Sequence, residues 1–141
     1  MKRSGSAVWQ GDLKSGKGLV STDSGVLSSQ QYSFGTRFEN GKGTNPEELI
    51  AAAHAGCFTM ALSAQLGNAG LTPEKLETKA TVTLDKLEAG WAVTHIFLDV
   101  SGRVPKADQA AWDKATQAAK TGCPISKLLN ATIEMQAKLE G

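Results

Sequence analysis

Pro46-Glu-Glu-Leu-Ile-Ala-Ala-Ala-His-Ala-Gly-Cys57-Phe-Thr-Met-Ala-Leu-Ser-Ala-Gln-Leu-Gly-Asn68 is the stretch that decides the fold of this chain. Pro46 suits the first position of a helix, and Thr44 or Asn45 just before it can cap the free N–H groups there. Glu47 and Glu48 add negative charge at the positive end of the helix dipole. Gly67 and Gly70 mark the other end. Between these signals the segment is apolar nearly all round, which predicts a helix buried on most sides. Its longest apolar run, Leu49 to Leu66, is interrupted by His54, Thr59, Ser63 and Gln65, so it reads as a core helix rather than a membrane span.

Outward from this helix the pattern changes. Ala7 to Gln10 and Gln31 to Phe38 read as strands, with Gly11 to Gly18 and Gly41 to Pro46 as loops. After the helix, Leu71 to Lys75 is a connector. Lys79 to Leu84 and Trp91 to Val100 are β-rich and form a predicted antiparallel hairpin about Gly90. Pro105 is expected to open a second helix that ends at Gly122, its apolar face built on Ala110, Ala111, Trp112, Ala115, Ala118 and Ala119. Cys123 to Asn130 reads as a short third helix and Ala131 to Leu139 as a closing strand. Groups of strands separated by helices predict an α+β fold with antiparallel sheets, not a parallel βαβ sheet.

Composition narrows the function. The 141 residues suit one domain, 1–141, and the 40% hydrophobic, 21% charged mixture is that of a globular protein. The net charge of +1 gives no electrostatic reason to expect nucleic acid or an anionic membrane as partner. Met1-Lys-Arg-Ser-Gly-Ser leads into no apolar h-region, so a cytoplasmic location is expected. Gly11-Asp-Leu-Lys-Ser-Gly-Lys-Gly18 nearly matches a phosphate-binding loop. Gly18 replaces the hydroxyl residue that would hold Mg²⁺, and no helix follows, so the segment is read as a turn.

Two cysteines, Cys57 and Cys123, lie 66 positions apart. A permanent disulfide is not expected in a reducing compartment, and two cysteines without a C-x-x-C or supporting histidines make a poor zinc site. They are therefore either inert buried thiols or a redox pair. Burial raises a thiol pKa, so a reactive Cys57 needs a cation nearby. Arg37 is a candidate, on a run flanked by Phe34 and Phe38; it could equally be an edge arginine or pair with Glu39. Glu47 or Glu48 could orient it, although acids at a helix start are ordinary. Cys123 precedes Pro124 at a helix start, a position that favours a thiolate; simple burial is the alternative. His54, one turn before Cys57, opens the possibility of a Cys–His pair for acyl transfer.

Thr44-Asn-Pro-Glu-Glu-Leu49, Ala51-Ala-Ala-His-Ala-Gly-Cys57-Phe58 and Gly122-Cys-Pro-Ile-Ser126 together resemble the OsmC/Ohr family of peroxide-reducing stress proteins. The resemblance runs from Trp9 to the last strand. It is closest to the OsmC branch, since the arginine falls just before the central helix and none lies between Val8 and Lys17. It implies an α+β intertwined homodimer with long central helices inside. It further implies a thiol peroxidase that needs no cofactor and reduces organic hydroperoxides and hydrogen peroxide. Cys57 would be the peroxidatic thiol and Cys123 the resolving one, with Arg37 and Glu47 completing the site. An external dithiol or lipoyl-type reductant would restore the thiols.

Two expectations concern geometry. Glu47 and Cys57 lie ten residues apart on one helix, roughly 15 Å. The spacing argues that any site combining them draws Glu47 from a partner subunit, with Arg37 open to either subunit. A pocket lined by Phe34, Phe58 and Met60 would favour alkyl hydroperoxides. The rival readings are a module that binds a small apolar ligand with an unreactive Cys57, and the Cys57–His54 acyl-transfer enzyme.

Overall fold

Asn45 closes the start of the long helix as its side-chain chemistry predicts. Its Oδ1 accepts from the Glu48 N–H at 2.7 Å, and its Nδ2 donates to the Thr36 carbonyl at 3.0 Å. The computed structural model describes all of residues 1–141, which divide into two compact units, Met1–Leu49 and Ile50–Gly141.

The first unit holds a three-stranded antiparallel sheet in the order β1 (Gly5–Gln10), β2 (Lys17–Thr22) and β3 (Gln30–Tyr32). Trp9 and Tyr32 pack across it with ring centroids 5.5 Å apart. Gly18 lies between them, and a Cβ there would come within 2.4 Å of the Tyr32 ring. The predicted strand Gln31 to Phe38 is corrected: β3 stops at Tyr32, and Phe34–Phe38 is a short helix, α1. Ser33 and Thr36 explain the change. The Ser33 hydroxyl accepts from the Thr36 N–H while the Thr36 hydroxyl accepts from the Ser33 N–H, a reciprocal cap that starts a helix. The helical spacing then stacks Phe34 on Phe38, centroids 4.9 Å apart.

The long helix, α2, spans Pro46–Asn68. It is long and apolar enough to cross a membrane by length and composition. However, His54, Phe58, Leu62 and Leu66, four residues apart in succession, are wholly buried on one stripe. The three apolar members of that stripe share a core with Ile96, Leu98, Val100 and Trp112. Burial within the single chain is narrower than an all-apolar helix predicts. Ala52, Ala53, Gly56, Ser63 and Ala64 are exposed, and Met60 is 78% exposed.

The second unit's sheet has the order β4 (Lys75–Leu87), β5 (Gly90–Arg103) and β6 (Thr132–Glu140). The expected hairpin is present and longer than predicted, in register from Lys75 opposite Arg103 to Leu87 opposite Gly90, with a bulge at Thr83/Leu84. The closing strand departs from the antiparallel expectation, since β6 pairs parallel to β5. Between them run α3 (Gln109–Gly122) and α4 (Pro124–Leu128), the kind of long crossover that a parallel pair requires. Helix α3 starts at Gln109 rather than Pro105, because Asp108 caps it through a 2.7 Å bond from the Ala111 N–H. Trp112 on α3 packs against β5 at Gly102, where a Cβ would lie 2.5 Å from the indole.

Candidate active site

Cys57 rides on α2 on the flank of its buried stripe and is half-buried. Cys123 is held at the junction of α3 and α4, where it is at once the C-cap of one helix and the N-cap of the other. Gly122 ends α3 and Pro124 takes the first position of α4, so the chain must turn at Cys123. The turn buries its side chain completely. The two sulfurs stand 2.8 Å apart as free thiols in hydrogen-bond contact. A disulfide needs about 2.05 Å, so small side-chain movements separate this dithiol from its oxidised form.

The electrostatics of the pair are asymmetric. Burial raises the Cys57 thiol, and the neighbouring Cys123 thiol raises it further, against an opposing pull from the Ile125 N–H. Burial also works against ionisation of Cys123. It is outweighed by the hydrogen bond with Cys57, the Ser126 N–H and hydroxyl, and the Ile125 N–H, so Cys123 lies below the ordinary thiol range. Cys123 closes no side-chain cap bond in the strict sense. Two thiols this close titrate as a pair, with one proton easier to lose than the other.

His54 does not pair with Cys57 in the way an acyl-transfer dyad requires. Its Nε2 instead meets the Ser126 Oγ at 2.7 Å, 72 positions away. Its Nδ1 is buried without a hydrogen-bond partner. Desolvation lowers its pKa, keeping the ring neutral. Ser126 is the residue that the sequence reading left without a role. The signal for it was its place three residues after Cys123, in the first turn of α4.

In the first unit, Arg37 on α1 binds Glu47 in the first turn of α2. Its Nη2 and Nε donate to Oε1 at 2.8 and 3.0 Å, and Nε also reaches Oε2 at 3.3 Å. The pairing with Glu39 is not formed; Glu47 is the partner, and it is almost wholly buried. The guanidinium also lies 5.3 Å from the Phe38 ring centroid. Arg37 and Phe34 line a cavity of ≈ 230 Å³ together with Trp9, Leu13, Tyr32 and Phe38. The expected lining of Phe34, Phe58 and Met60 is corrected. Phe58 is wholly buried in the core and Met60 is exposed, since residues two apart on a helix face nearly opposite ways.

Two free thiols in sulfur contact at a helix junction, on an α+β scaffold, make a dithiol with the geometry to close into a disulfide. The family model described as OsmC-like protein matches residues 39–138, and this chain belongs to the OsmC family. Peroxiredoxin OsmC of Escherichia coli (strain K12) is 54% identical over 138 residues, covering 98% of this chain and 96% of that protein. Organic hydroperoxide resistance protein OhrB of Bacillus subtilis (strain 168) is 28% identical over 125 residues, covering 87% and 89%. The crystal structure of the B. subtilis OhrB superposes with a TM-score of 0.67 at 24% identity, over 97% of this chain and 98% of that one. An OsmC-like protein from Mycoplasma pneumoniae reaches 0.77 at 15% identity, over 100% and 99%. At such identities the structural likeness establishes the fold.

Proposed function

We infer that this chain is a thiol peroxidase of oxidative-stress defence that reduces organic hydroperoxides, and hydrogen peroxide as well, through Cys57 and Cys123. The 2.8 Å contact between the two sulfurs carries this reading. The Cys57 thiolate attacks the O–O bond of ROOH. An S–O bond forms, the O–O bond breaks, and the departing alkoxide takes a proton to leave as alcohol. Cys57 is then a sulfenic acid. The Cys123 thiolate attacks its sulfur, the S–S bond forms, and hydroxide leaves to become water. An external dithiol or lipoyl-type reductant returns both thiols by exchange.

The raised pKa of Cys57 supports a composite site. A thiol held neutral by burial reacts only when a cation offsets that burial. Arg37 is bound to Glu47, ten residues before Cys57 on α2, which is roughly 15 Å of helix. We therefore assign the activating guanidinium to Arg37 of the partner subunit, in a homodimer with two such sites. A cation there would also move the shared proton onto Cys123 and leave Cys57 as the attacking anion. The first unit's exposed Val8, Leu13, Leu19 and Val26 and the exposed Met60 of α2 fit burial in such a dimer.

The aromatic cavity beside Arg37 suits an alkyl or aryl hydroperoxide. Comparing kcat/KM for cumene hydroperoxide and hydrogen peroxide, with a dithiol as reductant, tests this. A preference for the organic peroxide is expected; a preference for hydrogen peroxide would remove the cavity from the site, and no turnover of either would remove the peroxidase reading.

A further inference from the structure

His54 is wholly buried on α2, and its ring is satisfied at one nitrogen only. That nitrogen, Nε2, lies 2.7 Å from the Ser126 hydroxyl. Ser126 is itself buried in the first turn of α4, whose N-cap is Cys123. A neutral imidazole carries one N–H, so two arrangements exist. If Ser126 donates to Nε2, the proton sits on Nδ1 and leaves a buried donor with no acceptor. If Nε2–H donates to Ser126, the atom left over is a bare acceptor, and orphaned acceptors are better tolerated than orphaned donors. The second arrangement also frees the Ser126 proton to turn toward Cys123, the N-cap residue of its own helix, whose side chain a helix start sets beside the third residue. On that arrangement the chain runs from His54 Nε2–H to Ser126 Oγ–H and on toward the Cys123 sulfur.

We propose that His54 and Ser126 are positioning residues that stabilise the Cys123 thiolate once Cys57 is oxidised, for its attack on the Cys57 sulfenic sulfur. The inference rests on the peroxidase reading above and adds the source of the second thiol's reactivity. His54 stays neutral throughout. In resolution the Cys123 lone pair forms the S–S bond, the Cys57 S–O bond breaks, and hydroxide leaves with the bonding pair. The proton that Cys123 gave up on ionising makes that hydroxide water, so the sum is sulfenic acid plus thiol to disulfide plus water. The depressed Cys123 pKa, in which the Ser126 hydroxyl takes part, agrees with this. No charged side chain forms a hydrogen bond or ion pair with His54, Ser126 or either sulfur. The acids and bases of the surrounding elements, Lys120 of α3, Lys127 of α4 and His95 of β5, are at least partly exposed. Glu134 of β6 pairs with His95.

The test is the pH dependence of Cys123 alkylation in the Cys57→Ser protein, where it is the one thiol left. Adding Ser126→Ala or His54→Phe should raise the alkylation midpoint by about one unit. Ser126→Thr and His54→Gln, which keep a hydroxyl and an N–H donor, should restore most of the shift. They also guard against a loss that merely reflects misfolding. A midpoint unchanged by Ser126→Ala, or equally displaced by all four variants, would overturn the proposal. With Cys57 present, Ser126→Ala should still form a trappable Cys57 sulfenic acid but close the disulfide roughly tenfold more slowly. If no sulfenic acid forms even in Cys123→Ser, the peroxidase reading fails, whatever the alkylation profile shows.

Discussion

Arg37 places two of its nitrogens on a single oxygen of Glu47, Oε1, at 2.8 and 3.0 Å. The carboxylate is nearly buried, while the arginine side chain keeps 38% of its exposure and a face on the aromatic cavity. Glu47 therefore fixes the fork without hiding it, which is the arrangement expected of an arginine held ready for an anion.

Arg37→Lys keeps the charge and loses the fork. It should lower kcat/KM for an organic hydroperoxide by roughly a hundredfold. Because lysine keeps a positive charge opposite the nearly buried Glu47 carboxylate, the melting temperature should hardly move. Glu47→Gln should also reduce kcat/KM, more mildly. Near-normal kinetics of Arg37→Lys would show that the fork geometry is not used.

The thiol pair predicts a dome in stability against pH. Cys123 lies below the ordinary thiol range when folded, so its contribution is present above the unfolded pKa and is lost as pH falls through the folded one. Cys57 is raised, so the folded protein keeps a proton that the unfolded chain gives up, and stability falls as pH climbs past the ordinary thiol range. Denaturant midpoints of the reduced protein should rise from neutrality toward that range and then decline. In the Cys57→Ser, Cys123→Ser double variant both slopes should flatten. Equal slopes in the two proteins would contradict the pKa directions.

His54 gives a separate acid limb. Its folded pKa is depressed by burial, so the unfolded chain takes up a proton first as pH falls. Stability should drop below about pH 6.5, and His54→Gln should remove that part of the drop, read from chemical denaturation across pH 5 to 8.

The exposed Met60 is the sharpest handle on the proposed dimer. Met60→Glu would place a charge on the uncovered face of α2, opposite the stripe that the core uses. Sedimentation should find the parent as a dimer and the variant shifted to monomer. Peroxidase turnover should fall with it, since Arg37 would come from the other subunit. A fully active monomer would defeat the composite site.

The long helix was legible because its ends are written in local chemistry: Asn45 and Pro46 at one end, Gly67 and Gly70 at the other. Its partners were not. The stripe from His54 to Leu66 could be told from its exposed neighbours only once a sheet lay against it, because Ala52, Gly56 and Met60 are as apolar as core residues. Helix α1 was hidden in an aromatic run with strand propensity, although the Ser33 and Thr36 pair was there to be read as a cap. The direction of β6 was unreadable, since alternation fixes which side chains share a face and not which way the strand runs. Motif order named Arg37, Glu47, Cys57 and Cys123 together; the structure joins Arg37 to Glu47 and Cys57 to Cys123. The His54–Ser126 bond did not, because 72 positions of chain separate its ends and neither residue carries a charge that demands a partner.

A single equivalent of cumene hydroperoxide added to the fully reduced protein, followed by intact and peptide mass spectrometry, bears most directly on the two-thiol chemistry. The expected result is a mass lower by two protons, both thiols lost to titration, and one linked peptide joining Cys57 to Cys123. Unchanged mass with both thiols still titratable and the peroxide unconsumed would contradict it.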